Sequence, residues 1–226
     1  MPSVNIPKKS TFTDMTPFVD VAFLILAFFV MATKFKPPEP VTITTPHSVS
    51  SAKLKEQNGI MITFDSSGKV FLSMNVQKKE DDDLKYDLIK AVNANRNLGL
   101  TENEMRAFQR DGMIGTPFSE IKSYLSMPNE QRGSALGKQK GIPVDSADNQ
   151  LSTWIGASKQ VFSGMKADFM IKGDNNAKYP SFKGVIDALR ANDENKYKLI
   201  TDPRGVPEGS ELYRLRQAGK GMDTES

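Results

Sequence analysis

Hydrophobic and polar positions are unevenly distributed along the chain. The stretch DMTPFVDVAFLILAFFVMATKF, Asp14 to Phe35, contains an unbroken apolar run from Val21 to Ala32. That run alone is short for a membrane span, which takes about 20 residues. Flanking residues lengthen it to a helix over 16–36, roughly 30 Å at about 1.5 Å per residue. Thr16 is placed as the N-cap and Pro17 at the first helical position, where a missing N–H costs nothing. Lys34 and Lys36 can extend to the far boundary, and Pro37-Pro38 then stops the helix. Asp20 breaks the run near its start. Helical spacing puts it on one face with Thr16, Phe23, Leu24, Ala27 and Met31.

Beyond residue 58 the pattern changes. GIMITFDSSGKVFLSM, Gly59 to Met74, alternates with period two on either side of Ser66-Ser67-Gly68 and reads as a hairpin. ADFMIKGD, Ala167 to Asp174, reads as a strand. YPSFKGVIDALRAND follows as a helix with Phe182, Val185, Ile186 and Leu189 on one face, and YKLITD as a further strand. The intervening residues, about 78–164, read as mostly helical. EDDDLKYDLIKAVNANRNLG places acids in a first turn, Leu84, Leu88, Ile89 and Val92 on one face, and Gly99 as the stop. TENE at Thr101 is a capping box. Thr116-Pro117 repeats the Thr-Pro helix start. NQLSTWIGASKQVF aligns Leu151, Trp154, Ile155 and Val161, so Trp154 is expected in the core. Residues 134–149 read as a polar surface loop. Asp174-Asn175-Asn176 reads as an Asx-type turn, and 219–226 as a flexible tail.

Composition narrows the chemistry. The 226 residues carry 30 basic and 27 acidic side chains, a net charge of +3 that is too weak to suggest a nucleic-acid partner. There is no cysteine and one histidine, His47, in a Pro/Ser/Thr-rich linker. Thiolate sites, histidine-rich metal sites and a Ser-His-Asp triad away from His47 are therefore excluded. No phosphate-binding loop or nucleophile elbow occurs, and Asp81 to Asp83 lack calcium-loop spacing. No metal, cofactor or enzymatic activity is expected.

Asp20 admits several readings. A carboxylate near the centre of a span costs about 2.5–3.5 kcal/mol on insertion scales, and one retained there is functional by default. At the headgroup level it would merely mark the end of the span. A secretory signal peptide is a further reading, with Lys8 and Lys9 as the charged region and Val30-Met31-Ala32 as a cleavage site, leaving a secreted periplasmic binding protein. Such a leader gains nothing from Asp20.

Asp14-Met15-Thr16-Pro17-Phe18-Val19-Asp20 followed by an apolar run resembles the ExbD/TolR family, whose motif is D-x-T-P-F-[IV]-D. VTITTP, Val41 to Pro46, resembles the family's short strand ending in proline, and the strand–helix–strand unit from Ala167 resembles the closing half of its periplasmic domain. The resemblance implies an α+β protein with one N-terminal transmembrane helix and a small periplasmic sheet-plus-helix domain, split here by the mostly helical insertion. Implied segments are a cytoplasmic arm (1–15), the span (16–36), a linker with a short strand (37–58) and the periplasmic domain (59–218). The insertion either meets a partner or is a surface elaboration. The resemblance further implies a bacterial inner-membrane, proton-driven motor subunit working with an ExbB/TolQ-like polytopic ring, a TonB-like periplasm-spanning protein and a second copy of itself. Asp20 matches the proton-carrying aspartate, with Thr16 and Pro17 in support. Val41, Thr42, Ile43, Thr44 and Thr45 are expected to pair with a partner's sheet edge. A TolR/MotB-like cell-wall anchor is the related alternative.

Overall fold

The computed structural model describes residues 15–32, 41, 43–48, 58–75, 82–111, 113–165, 167–204, 209–211 and 213–214. The expectations for the cytoplasmic arm before Met15, for Lys34, Lys36, Pro37 and Pro38, for Thr42, for Asp81 and for the tail lie outside them. Two compact units are present, residues 1–39 and 40–226. The first contains the helix α1 (Thr16–Ala32).

The second unit is α+β. Its strands are β1 (His47–Ser48), β2 (Gly59–Phe64), β3 (Val70–Asn75), β4 (Asp168–Gly173), β5 (Tyr197–Ile200) and β6 (Asp202–Pro203). Its helices are α2 (Asp82–Arg96), α3 (Glu102–Arg110), α4 (Phe118–Leu125), α5 (Asn129–Ala135), α6 (Gln150–Val161) and α7 (Tyr179–Arg190), with a 3-10 turn at Leu136–Lys138. The main sheet runs β3-β2-β4-β5 and is mixed: β2 and β3 form an antiparallel hairpin, whereas β4 lies parallel to both β2 and β5. The hairpin turn forms at the expected place. Gly68 takes φ +88°, a region that favours glycine, and the Asp65 carboxylate accepts the Lys69 amide at 2.9 Å and the Ser67 hydroxyl at 2.7 Å.

Ile60, Ile62 and Phe64 of β2, Val70, Leu72 and Met74 of β3, and Phe169 and Ile171 of β4 are buried in one core with the helices. Leu88, Ile89 and Val92 of α2, Phe108 of α3, Ile121 of α4, Leu151, Trp154 and Ile155 of α6, and Val185 and Leu189 of α7 join it. The helices of residues 82–161 are therefore no surface elaboration, because they supply a large share of the hydrophobic core among the described residues. Trp154 lies in that core, stacked on Phe108 with ring centroids 5.6 Å apart and tilted against Phe118 at 5.8 Å. Its indole N–H has no hydrogen-bond partner among the described residues.

Local signals hold at α3 and α6. The Thr101 hydroxyl accepts the Glu104 amide, and the Glu104 carboxylate accepts the Thr101 amide at 2.7 Å, which closes the capping box. Asn149 caps α6 through the Ser152 amide. Two expectations need correction. Thr116 does not cap α4: its hydroxyl is buried without a partner among the described residues, and the Phe118 amide is instead accepted by Gln150 Oε1 at 2.8 Å. Residues 134–149 are not a simple surface loop. Gly141, at φ +89°, donates to the Gly115 carbonyl, Ile142 donates to the Val70 carbonyl at 2.8 Å, and Leu136, Gln139 and Ile142 are buried. This segment and Ile114, which exchanges two backbone bonds with Leu72, cover the outer edge of β3.

Trp154→Ala is expected to lower unfolding stability by about 3–5 kcal/mol, while Trp154→Phe costs clearly less because the lost indole N–H was unpaired. Urea unfolding of the full chain in detergent measures both. The pH response of the α3 cap follows from Glu104. Burial pushes its carboxyl up, but the Thr101 amide and the Ser126 hydroxyl pull harder and hold it below the usual range. Its contribution is thus present above the ordinary glutamate range and is lost as pH falls through the lowered native value. Glu104→Gln should flatten stability against pH across the acidic limb relative to the parent chain.

Candidate functional site

The apolar segment forms a helix as expected, and its N-terminus is built one residue earlier than expected. The Met15 carbonyl accepts the Phe18 and Val19 amides, each at 3.1 Å, so Met15 takes the cap position and Thr16 and Pro17 are the first two helical residues. Pro17 still falls where helical amides have no partner to lose. The described helix ends at Ala32, and residues 33–36 of the expected span lie outside the described residues. Among the described residues no helix is long and apolar enough to cross a membrane. The 17 residues of α1 rise about 26 Å, against about 30 Å for a hydrocarbon core.

Within α1 the side chains have almost no protein to rest against. From Phe18 to Met31 the large apolar residues are between 52% (Ile25) and 86% (Met31) exposed, and they occur on every side of the helix. An amphipathic surface helix would bury one stripe and offer polar residues on the other. Here the single charge is Asp20, one turn in, on the face that carries Thr16, Phe23, Leu24 and Ala27. Among the described residues no hydrogen bond or ion pair to the Asp20 carboxylate is present. Thr16 and Asp20 are one turn apart on that face.

The expected pairing segment is in the second unit. Thr42 lies outside the described residues; Val41 and Ile43 are half-buried, Thr44 is exposed and Thr45 is buried. The described residues of 41–45 form no strand, contrary to expectation. Thr44 is instead held by a turn of its own chain: its amide donates to Asp174 Oδ2 at 3.0 Å, and its carbonyl accepts the Asn175 amide at 2.8 Å. Strand pairing begins later, where β1 lies parallel to β6 with His47 opposite Asp202 and Ser48 opposite Pro203. Asp174 also accepts the Asn176 amide at 2.8 Å, so the Asx-type turn is present. Its second oxygen, on Thr44, makes a contact that sequence reasoning missed. The two residues are 130 positions apart, and nothing local signals their meeting.

An open groove of about 490 Å³ lies between the hairpin turn, residues 140–146 and the start of α7. Three lysines line it, Lys69, Lys140 and Lys183, of which Lys140 and Lys183 are paired with Glu120 and Asp187. Among the described residues no cluster of His, Asp and Glu is set to hold a metal ion. The geometry offers one isolated carboxylate on an apolar helix and one tethered linker segment on a folded domain.

The sequence model described as "Biopolymer transport protein ExbD/TolR" matches residues 8–204. Neither the curated proteins nor the solved structures yield a match.

Proposed function

This chain belongs to the ExbD/TolR family, and on that footing we propose that it is the proton-carrying subunit of an inner-membrane motor that energises a TonB-like protein for transport at the outer membrane. Membership makes it a component of a biopolymer-transport system, a role that calls for no covalent chemistry. The finer reading rests on α1. A helix apolar on all sides needs either lipid or other apolar helices around it, and the polytopic ring of an ExbB/TolQ-like partner supplies both. With residues 33–36 added, the helix would reach the length that a bilayer core requires. A single pass then puts the α+β unit in the periplasm.

The observation that carries the proposal is the lone carboxylate of Asp20 within that helix. Placed between helices of a ring, it would bind a proton from one side and release it to the other, while Thr16 one turn earlier lends a hydroxyl and Pro17 fixes the entry of the helix. Two copies side by side would give two such carboxylates that work alternately. The extended segment from Val41 to Thr45 would then pair with a partner's sheet edge when it is not held by Asp174. A secreted binding protein is not favoured, since the family match runs through the whole apolar segment.

Asp20→Asn keeps size and hydrogen bonding but cannot ionise. In the native host it should leave the amount of membrane-bound complex unchanged while energised outer-membrane transport drops to the level of a strain without the protein. Transport at the parent level with Asp20→Asn would overturn the proton-carrier role.

A further inference from the structure

Two turns beyond Asp20, on the same face of α1, stands Ala27. Among the described side chains of the helix it alone is not exposed. Its neighbours along that face, Phe23 and Leu24 on one side and Met31 on the other, are all larger and exposed, so Ala27 is the floor of a hollow between them. Residues at i, i+3, i+4 and i+7 enclose the hole into which a facing helix inserts a side chain. Asp20, Phe23, Leu24 and Ala27 are such a set, so the carboxylate and the alanine are opposite corners of one hole. A second alanine, Ala22, is exposed and lies on the other side of the helix.

We propose that Ala27 seats a large apolar side chain from a transmembrane helix of a different polypeptide, and so fixes the depth at which Asp20 meets that helix. Ala27 is then a positioning residue for the carboxylate, and this role rests on the motor reading above. Inside a membrane, helices associate by close packing rather than by the hydrophobic effect, and small residues are where their backbones approach. Three occupants compete for the Asp20 face. Lipid would leave the carboxylate in hydrocarbon. A second copy of α1, entering the membrane at the same depth, would set two Asp20 carboxylates against each other in a medium of low dielectric. A helix of a different chain can present a bulky apolar side chain to the hole and a polar group to the carboxylate at its corner. Depth matters because a slide of one residue moves Asp20 by about 1.5 Å, and a proton passes only within hydrogen-bond reach, about 3 Å. The hole makes that depth discrete: the inserted side chain is either seated beside Ala27 or it is not.

Each variant is made in the full chain and assayed in native-host membranes with its partner complex. Ala27→Leu fills the hollow and should reduce energised transport about tenfold or more, through a displaced helix or a complex that no longer assembles. Ala27→Ser keeps the hollow nearly its size and should stay within about twofold of the parent, and Ala22→Leu should lose far less than Ala27→Leu. Equal transport by Ala27→Leu and Ala22→Leu would overturn the seat. The occupant has its own readout. The chain has no cysteine, so Ala27→Cys introduces its one thiol. In the assembled complex that thiol should react with a water-soluble maleimide about tenfold or more slowly than the thiol of Glu130→Cys, an exposed position of α5, and oxidation should yield no disulfide-linked dimer of the chain. Alkylation as fast as at Glu130→Cys would put water on that face, and a disulfide-linked dimer would put a second copy there; either result overturns the proposal. The two readings fail separately. Parent-level transport by Asp20→Asn sinks the proton-carrier role and leaves the Ala27→Cys result standing, whereas Ala27→Leu equal to Ala22→Leu beside an inactive Asp20→Asn sinks the seat alone.

Discussion

The parallel pairing of β2 with β4 is the constraint on which the second unit depends. Gly59 lies opposite Asp168 and Phe64 opposite Gly173, so the two strands run in register from end to end although more than a hundred residues separate them. Glycines at both ends permit the approach. A Cβ on Gly59 would come within 2.5 Å of the Asp168 carbonyl oxygen, and one on Gly173 within 2.2 Å of the Phe64 ring. A parallel pair cannot be closed by a tight turn, and the chain between must return to the end of the sheet from which it started. β3 makes that return, since Asn75 lies opposite Gly59; helices α2 to α6 then leave from that end and come back to it at Asp168, and in doing so they lay Leu88, Ile121, Leu151 and Trp154 over the face presented by Ile60 and Ile62. The crossover is also the cover.

The same crossover settles the fate of the β3 edge. A hairpin strand at the end of a sheet offers a row of unpaired backbone groups. Here Leu72 exchanges bonds with Ile114 and Val70 accepts from Ile142, both from the crossover. Side-chain ties hold these segments in place: Gln139 accepts the Gly115 amide, Asn149 donates to the Gly184 carbonyl, and Ser181 donates to the Gly68 carbonyl at the hairpin turn. A buried ion pair adds to this frame. Arg132 reaches both carboxylate oxygens of Asp111 at 3.1 Å and also donates to the Met127 carbonyl and to Asn129. Burial pushes the Asp111 carboxyl up more strongly than the Arg132 guanidinium pulls it down, and Tyr124 is raised to about 12, first by burial and then by Asp111. Such a pair adds little net stability, because the desolvation of both charges offsets their attraction, but removal of one partner would leave the other buried and uncompensated.

Features written into one short stretch of sequence were legible; features made by residues far apart were not. The hairpin at Gly68, the capping box at Thr101, the α6 face with Trp154 and the α7 face with Val185 and Leu189 each follow from spacing within a dozen residues, and each is present. The cap of α4 was misplaced because Gln150, 32 positions on, reaches the Phe118 amide that Thr116 was expected to serve. The segment 134–149 was misjudged because its polar composition hides Ile142, whose burial depends on the edge of β3. Residues 41–45 have the alternation and β-branching of a strand, yet their hydrogen bonds are decided by Asp174, which no local pattern connects to them. The lone carboxylate of the candidate site was legible from the first, because it stands out against apolar neighbours; the hold on the linker was not.

The two units also differ in what completes them. The α+β unit satisfies most of its own needs: its core is closed, one edge is covered, and its linker is tied back. The helix α1 satisfies none of them, with apolar side chains exposed on every side and a carboxylate among them. In water that much apolar surface would drive association. In lipid or among other helices it is at rest, and the one group then out of place is Asp20. A charge kept where it costs a few kcal/mol calls for a hydrated path or a facing polar side chain beside it, and on α1 the nearest polar side chain of that face is Thr16, one turn earlier. The helix and the domain beyond it thus differ in kind: the helix calls for lipid or other apolar helices around it, whereas the domain already encloses a core of its own.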